Sequence, residues 1–318
     1  MTLATIHAAL AALLPTLGPD FAPSSEDWNG VAYLRTTARE AKIALEVPES
    51  LDLGALMPDD ILLVVAPSQV GLGDALSQFV TDGGSVLLAV DVGTPPSITE
   101  PLGVRIATEP PAHDRYFRDH PAFPALLPRS SEPTEQPRFW PFQSDHEPRF
   151  LWFNVAELVL NHSVAVEALE PALADTTVSS VLTYESGDSA DPRAPSFAVD
   201  VHQGLGQALV LGDASLFIDE MQRGAYGDKQ FVANAIRWFC GSGSCEVTLV
   251  TPLTRIHGTY VPKHGQRLFG LEGILDKGLE AVNSALAEAS EVAERPETQT
   301  TAAIFLLVAF ILACFFLP

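Results

Sequence analysis

Positive charge is scarce in this chain: 18 lysines and arginines stand against 40 aspartates and glutamates, for a formal net charge of −22. A surface of that sign repels phosphate backbones and gains nothing from anionic headgroups, so nucleic acid is excluded as an expected partner. The acidity reads as solubility, with the docking of a basic partner as the other use of it. Cysteine is nearly absent as well, with only Cys240, Cys245 and Cys314. The C-x4-C pair follows Trp238-Phe239 without a second Cys or His pair, which rules against a zinc site. Two free thiols are the expected state of Cys240 and Cys245, with a local disulfide as the alternative if the body faces an oxidising compartment.

Catalytic and cofactor signatures are missing too. Gly71-Leu72-Gly73 is followed by no GK[ST] and completes no GxGxxG, so turn chemistry explains these glycines and no nucleotide is expected. The eight histidines are scattered, with no HExxH and no i, i+4 pair. Only His113, His120 and His146, beside Asp114, Asp119 and Asp145, could gather a metal in space. Loop residues of these kinds more commonly cap turns or face water, so no metal and no cofactor is expected. Cys240 closes a helix beside Gly241, where the helix dipole disfavours a thiolate, so it is not read as a nucleophile.

What the chain does have is apolar sequence: 47% of its 318 residues are hydrophobic, enough for a substantial core in one large or two modest domains. Asn29 to Glu40 suits a short helix and Lys42 to Val47 an alternating strand. Ile61 to Pro67 (ILLVVAP) and Ser85 to Val92 (SVLLAVDV) are continuous apolar runs of the kind that strands buried on both faces require. Between them Gly71 to Thr81 is an amphipathic helix stopped by Gly83-Gly84. The three elements make a β-α-β unit with parallel strands and a right-handed crossover.

From residue 95 to about 150 prolines punctuate the chain, and aromatics such as Tyr116, Phe123, Trp140 and Trp152 are too frequent for a flexible linker; an ordered insertion is expected. Strands follow at Val164 to Leu169, Ser179 to Tyr184, Ser196 to His202 and Gln207 to Leu211, with His202 to Gly206 as a hairpin turn. Helices are expected at Ser215 to Met221 and Gly227 to Phe239, and a last strand at Glu246 to Val250. No internal repeat is present.

Several of these stretches are similar to a known family. Phe79-Val80, Gly83-Gly84, Leu87-Leu88, Gly204 and Gly206, Val210 to Asp213, and Asn234 to Trp238 match, in order, the pattern of an uncharacterised bacterial membrane-anchored family with a class I glutamine amidotransferase-like domain. That family is related to auxiliary subunits of gliding-type ABC transport systems. The resemblance covers about Asn29 to Gly241. It implies an α/β fold with a doubly wound, mostly parallel, flavodoxin-like sheet. Amidotransferases place a nucleophilic Cys in a sharp strand-to-helix turn, where backbone N–H groups hold an oxyanion. The equivalent stretch here, Ala89-Val90-Asp91-Val92-Gly93, has Asp91 where the thiol belongs. Val199 to His202 resembles the strand that delivers the catalytic His, but it runs into a hairpin and no Glu follows at the usual spacing.

At the C-terminal end, Thr301 to Leu317 (TAAIFLLVAFILACFFL) carries no charge. At about 1.5 Å per residue it is just long enough to cross a thin hydrocarbon core. Ala302, Ile304, Phe305, Leu306, Leu307, Phe310, Ile311 and Leu312 cover every face of such a helix, as an anchor in the lipid bilayer requires and a core helix does not. Before it, Leu271 to Leu286 repeat at helical spacing as a stalk, which Pro296 ends. The N-terminus has no basic region and Pro15 would kink its apolar stretch, which argues against a cleaved signal peptide. Without one the body stays in the cytoplasm; an export signal upstream of the present start would put it outside. With no Lys or Arg after the anchor, charge leaves both orientations open.

The expected organisation is therefore an N-terminal segment (1–28), an α/β domain (29–250) carrying the insertion (95–150), a helical stalk (251–300) and a single transmembrane helix (301–318). The expected role is a non-enzymatic binding or scaffolding subunit of a membrane or envelope complex, ABC-transport-associated as the resemblance implies, in the bacterial inner membrane. The alternative is a hydrolase or sugar-binding protein in which Asp91, Asp213 and His202 meet at the sheet edge, where open α/β sheets bind ligands. For Asp91 and Asp213 the competing reading is a helix or turn cap.

Overall fold

In a computed structural model the described residues are 19–107, 115–117, 123–127, 150–161, 163–184, 195–224, 227–240 and 245–263. The stalk helix Leu271 to Leu286, every named anchor residue, and His113, His120 and His146 lie outside them; residues 251–262, expected to begin the stalk, instead belong to the compact unit and carry its last strand, Arg255–His257. All the elements below belong to one compact unit, Met1–Pro262.

The strands are β1 (Ile43–Glu46), β2 (Ser50–Asp52), β3 (Ile61–Val65), β4 (Ser85–Ala89), β5 (Val104–Ile106), β6 (Ala125–Leu126), β7 (Leu158–Val159), β8 (Val166–Ala168), β9 (Thr176–Thr183), β10 (Ser196–Gln203), β11 (Gly206–Leu211), β12 (Cys245–Val250) and β13 (Arg255–His257). The helices are α1 (Leu34–Glu40), α2 (Leu72–Thr81), α3 (Pro96–Thr99), α4 (Asp219–Arg223) and α5 (Asp228–Arg237). Nine strands form the main sheet in the order β1-β12-β3-β4-β11-β10-β8-β5, with β9 also paired to β10. From β1 to β11 every pairing is parallel, and beyond β11 every pairing is antiparallel. The mostly parallel central sheet of a mixed α/β fold is thus present, with an antiparallel extension entered through the β10–β11 hairpin.

The apolar runs are central strands because both of their faces are covered. Val86 and Leu88 of β4, and Val90 just after it, join Leu72, Leu76, Phe79 and Val80 of α2, together with Ile98 of α3. Leu87 and Ala89 face the other way, into a core shared with Leu34 and Ala38 of α1 and Phe231, Val232, Ala235 and Ile236 of α5. Each fully buried Leu, Val or Phe contributes about 1.5–3 kcal/mol relative to exposure, so this two-sided burial is the main term holding the sheet together.

The glycines of the family-like pattern have a packing cause. A Cβ on Gly206 would run into the carbonyl oxygens of Val80 and Gly84, and one on Gly84 would enter the Phe79 ring. The hairpin and the α2–β4 turn approach backbone to backbone, which side chains would prevent. Leu205 N–H donates to Thr81 O at 3.0 Å and Gln207 N–H to Gly84 O at 3.2 Å across this contact.

Several boundaries differ from expectation. The first helix starts at Leu34, because the chain before it bonds elsewhere: Asn29 O accepts from Phe21 N–H, and Gly30 O from Asp219 N–H. Ser215 to Met221 is split at Ile218, whose extended backbone (φ −75°, ψ 155°) separates a 3-10 turn at Ala214–Phe217 from α4. Cys240 and Cys245 are joined in a disulfide, which corrects the expectation of free thiols. The end of α5 and the start of β12 bring their Cα atoms to 5.5 Å, inside the range a disulfide spans.

Candidate functional site

Strand order locates the crevice. The connection leaving β4 runs through α3 onto the α2 side of the sheet, and the connection leaving β11 runs through α4 and α5 onto the opposite side. Between neighbouring parallel strands whose connections part in this way lies the topological switch point, the usual ligand crevice of open α/β sheets. Leu211 pairs with Ala89. Asp213 and Asp91 therefore stand two residues beyond one register pair, side by side at the C-terminal edge.

Their environments differ. Asp91 is half-buried and shapes its own turn: Val92 N–H donates to Asp91 Oδ1 at 2.7 Å, and Asp91 N–H donates to Thr94 Oγ1 at 3.0 Å. Asp213 is fully buried. Its Oδ1 accepts from the Ser215 N–H (2.8 Å) and hydroxyl, capping the 3-10 turn, and its Oδ2 accepts from Asn161 N–H at 2.6 Å. Burial pushes its pKa up to about 7; the bonds from Ser215 and Asn161 oppose this and the charge of Asp91 adds to it. The cap reading therefore holds for Asp213.

A residue that the sequence reading passed over completes the group. Asp228, the first residue of α5, has no exposed surface. Its Oδ1 accepts from Val159 N–H at 2.9 Å, while its Oδ2 has no hydrogen-bond partner among the described residues. Burial raises its pKa to about 8, opposed by the Val159 bond and reinforced by the charges of Asp213 and Glu157. In sequence it looks like any acid in the first turn of a helix, and only its burial sets it apart. Asp213 and Asp228 together hold the returning segment 157–161 on the sheet edge. Asn234 of α5 helps, donating to Leu151 O at 3.0 Å and Phe153 O at 2.8 Å. Tyr184, also buried and raised in pKa by burial, donates to Val164 O at 2.8 Å close by.

His202 does not join them, which corrects the expectation that it would meet the two carboxylates. It pairs with Gln207 at the start of β11. Six residues at about 3.3 Å each place it roughly 20 Å from Asp213, at the opposite edge of the sheet. There its Nε2 lies 3.0 Å from Asp200 Oδ2, and Gln207 Nε2 donates to Asp200 Oδ1 at 2.7 Å. The other described histidine, His257, is on β13, and His162, next to Asn161, lies outside the described residues. Among the described residues no group of three or more His, Cys, Asp or Glu is arranged to hold a metal.

A family model for a domain of unknown function, DUF4350, matches residues 23–236, about two-thirds of the chain. The chain belongs to the DUF4350 family. The matched DUF4350 region takes in the whole switch-point crevice, from Asp91 through Asp213 to Asp228, and stops before the disulfide. No curated protein matches this chain. Among solved structures it is similar to the mmIFT52 N-terminal domain, at 14% sequence identity and a TM-score of 0.38, covering 58% of this chain and 78% of the other.

Proposed function

We propose that this DUF4350 protein is a non-enzymatic, membrane-anchored binding or scaffolding subunit of a membrane or envelope complex, with a body of class I glutamine amidotransferase-like type. The observation that carries the reading is Asp213: at the position where such a sheet presents its ligand groups, both carboxylate oxygens are already engaged in capping and in holding Asn161. Asp91, which the sequence resemblance sets where the amidotransferase thiol would be, closes its own turn. Neither group is arranged to attack an acyl carbon. The uncharged run Thr301 to Leu317 supports the anchor, although among the described residues no helix is long and apolar enough to cross a membrane. The ABC-transport association comes from the sequence resemblance.

Sizing the full chain after extraction from its own membranes in mild detergent tests this. A particle larger than the chain and its detergent belt, lost in Asp91→Lys at unchanged melting temperature, is expected. A lone chain, or ammonia release from glutamine by the purified protein, would defeat the reading. The alternative, a hydrolase or sugar-binding protein, draws on the adjacency of Asp91 and Asp213 and on the raised pKa of Asp213. Turnover or saturable sugar binding abolished by Asp91→Asn would favour it.

A further inference from the structure

We infer that the N-terminal edge of the sheet, around the Asp82-Gly83 turn, is the face with which the body rests on the bilayer. The inference builds on the membrane-anchored reading above and adds a docking surface to it.

Three separate segments converge at this turn. Met57 and Pro58 lead into β3, the Gly204-Leu205 turn leads into β11, and Tyr260 to Pro262 end the compact unit. Pro58 and Leu205 each come within 4 Å of where a Cβ on Gly83 would stand. Tyr260 donates its hydroxyl to Asp82 Oδ2 at 2.6 Å and meets the Phe79 ring edge-on, with centroids 5.6 Å apart. That pins the last stretch of the unit to the same corner. Three of the side chains turned outward there are apolar, Leu205 at 76% exposure, Val261 at 60% and Met57 at 44%, with Asp59 and Thr81 also exposed beside them. On a chain of net charge −22 apolar tips from three separate segments at one corner have no evident role in solubility, and grouped exposed apolar residues mark interaction sites.

The course of the chain names the occupant. It leaves the compact unit at Pro262, beside Val261, and the uncharged run Thr301 to Leu317 follows later in the same chain. The 38 residues from 263 to 300 tether this exit to any bilayer that holds that run, which raises the effective concentration of that bilayer at the body. Apolar tips without a basic cluster suit the headgroup boundary of a zwitterionic bilayer, since Asp59 and Asp60 nearby would be repelled by anionic lipid. The Asp91–Asp213 crevice is at the other edge of the sheet, which this contact leaves open to partners.

The test uses the full chain in phosphatidylcholine vesicles, with Cys314→Ala and the Cys240–Cys245 disulfide intact. A bimane label is placed at Leu205→Cys, at Val261→Cys, or at Val92→Cys on the opposite edge. Both N-terminal-edge positions are exposed, so neither substitution disturbs the core, and each serves as a check on the other. The expected result is a blue-shifted emission and loss of intensity with doxyl-labelled lipid at 205 and 261, with no change at 92. Protein that floats with the vesicles but shows no quenching at 205 and 261, or equal quenching at 92, would overturn the inference while leaving the anchor standing. Protein that fails to float would overturn the anchored reading itself, and this inference with it.

Discussion

Replacing Asp228 by Asn should make the protein more resistant to alkali. In the folded chain the carboxyl has its pKa raised to about 8 by burial, against an ordinary value of 3.8. The folded state therefore holds a proton that the unfolded state gives up, so stability is fully present below about pH 4 and is lost as the pH rises towards 8. Each pH unit inside that window is worth about 1.4 kcal/mol, which makes the loss between pH 5 and pH 7.5 about 3 kcal/mol for this group alone. The amide side chain of the variant keeps an oxygen for the Val159 N–H and has nothing to titrate. The assay is thermal unfolding of the full chain in mild detergent from pH 5 to pH 8.5, wild type beside Asp228→Asn. General acidic self-repulsion rises with pH in both proteins and cancels in the difference. The variant should already melt higher at pH 5, and the gap should widen progressively until about pH 8. Parallel curves, or a variant that is less stable at pH 8, would refute the assignment of a buried, protonated carboxyl to this position.

Gly206→Ala should destabilise by about 1–3 kcal/mol or prevent folding, because the new methyl meets two backbone carbonyls that cannot withdraw, and chemical denaturation would measure it. Asn234→Ala removes the donor shared by the Leu151 and Phe153 carbonyls; a loss of about 1–3 kcal/mol is expected, with faster hydrogen exchange at 151–161. A membrane-impermeant thiol reagent should label Cys240 and Cys245 only after reduction, and labelling of intact cells under that condition would place the body on the oxidising side. Labelling without reduction would contradict the disulfide.

The β3–α2–β4 unit was legible because strands buried on both faces leave a plain signature, the unbroken ILLVV and SVLLA runs, and because α2 carries its apolar stripe between them. The β10–β11 hairpin and α5 were legible for similar reasons. β2 and β13 were not: three residues each, they owe their pairing to where the chain has already been brought. The site was half legible. Asp91 and Asp213 could be placed at strand ends, but whether His202 reached them depended on the direction of β10, which a hairpin reverses. Asp228 gave no signal, since its burial arises from segment 157–161 closing over it.

The adjacency of β4 and β11 carries a consequence for how the fold varies. Ala89 and Gly206 bracket more than a hundred residues, yet the strands they end and begin lie side by side in perfect register. Closure entropy grows only with the logarithm of loop length, so doubling a surface loop between ordered strands costs about 0.6 kcal/mol. Between β4 and β11, strands β5, β8, β9 and β10 are tied into the same sheet, so changes of length are cheapest in the loops that join these strands, while the two strands that frame them keep their register.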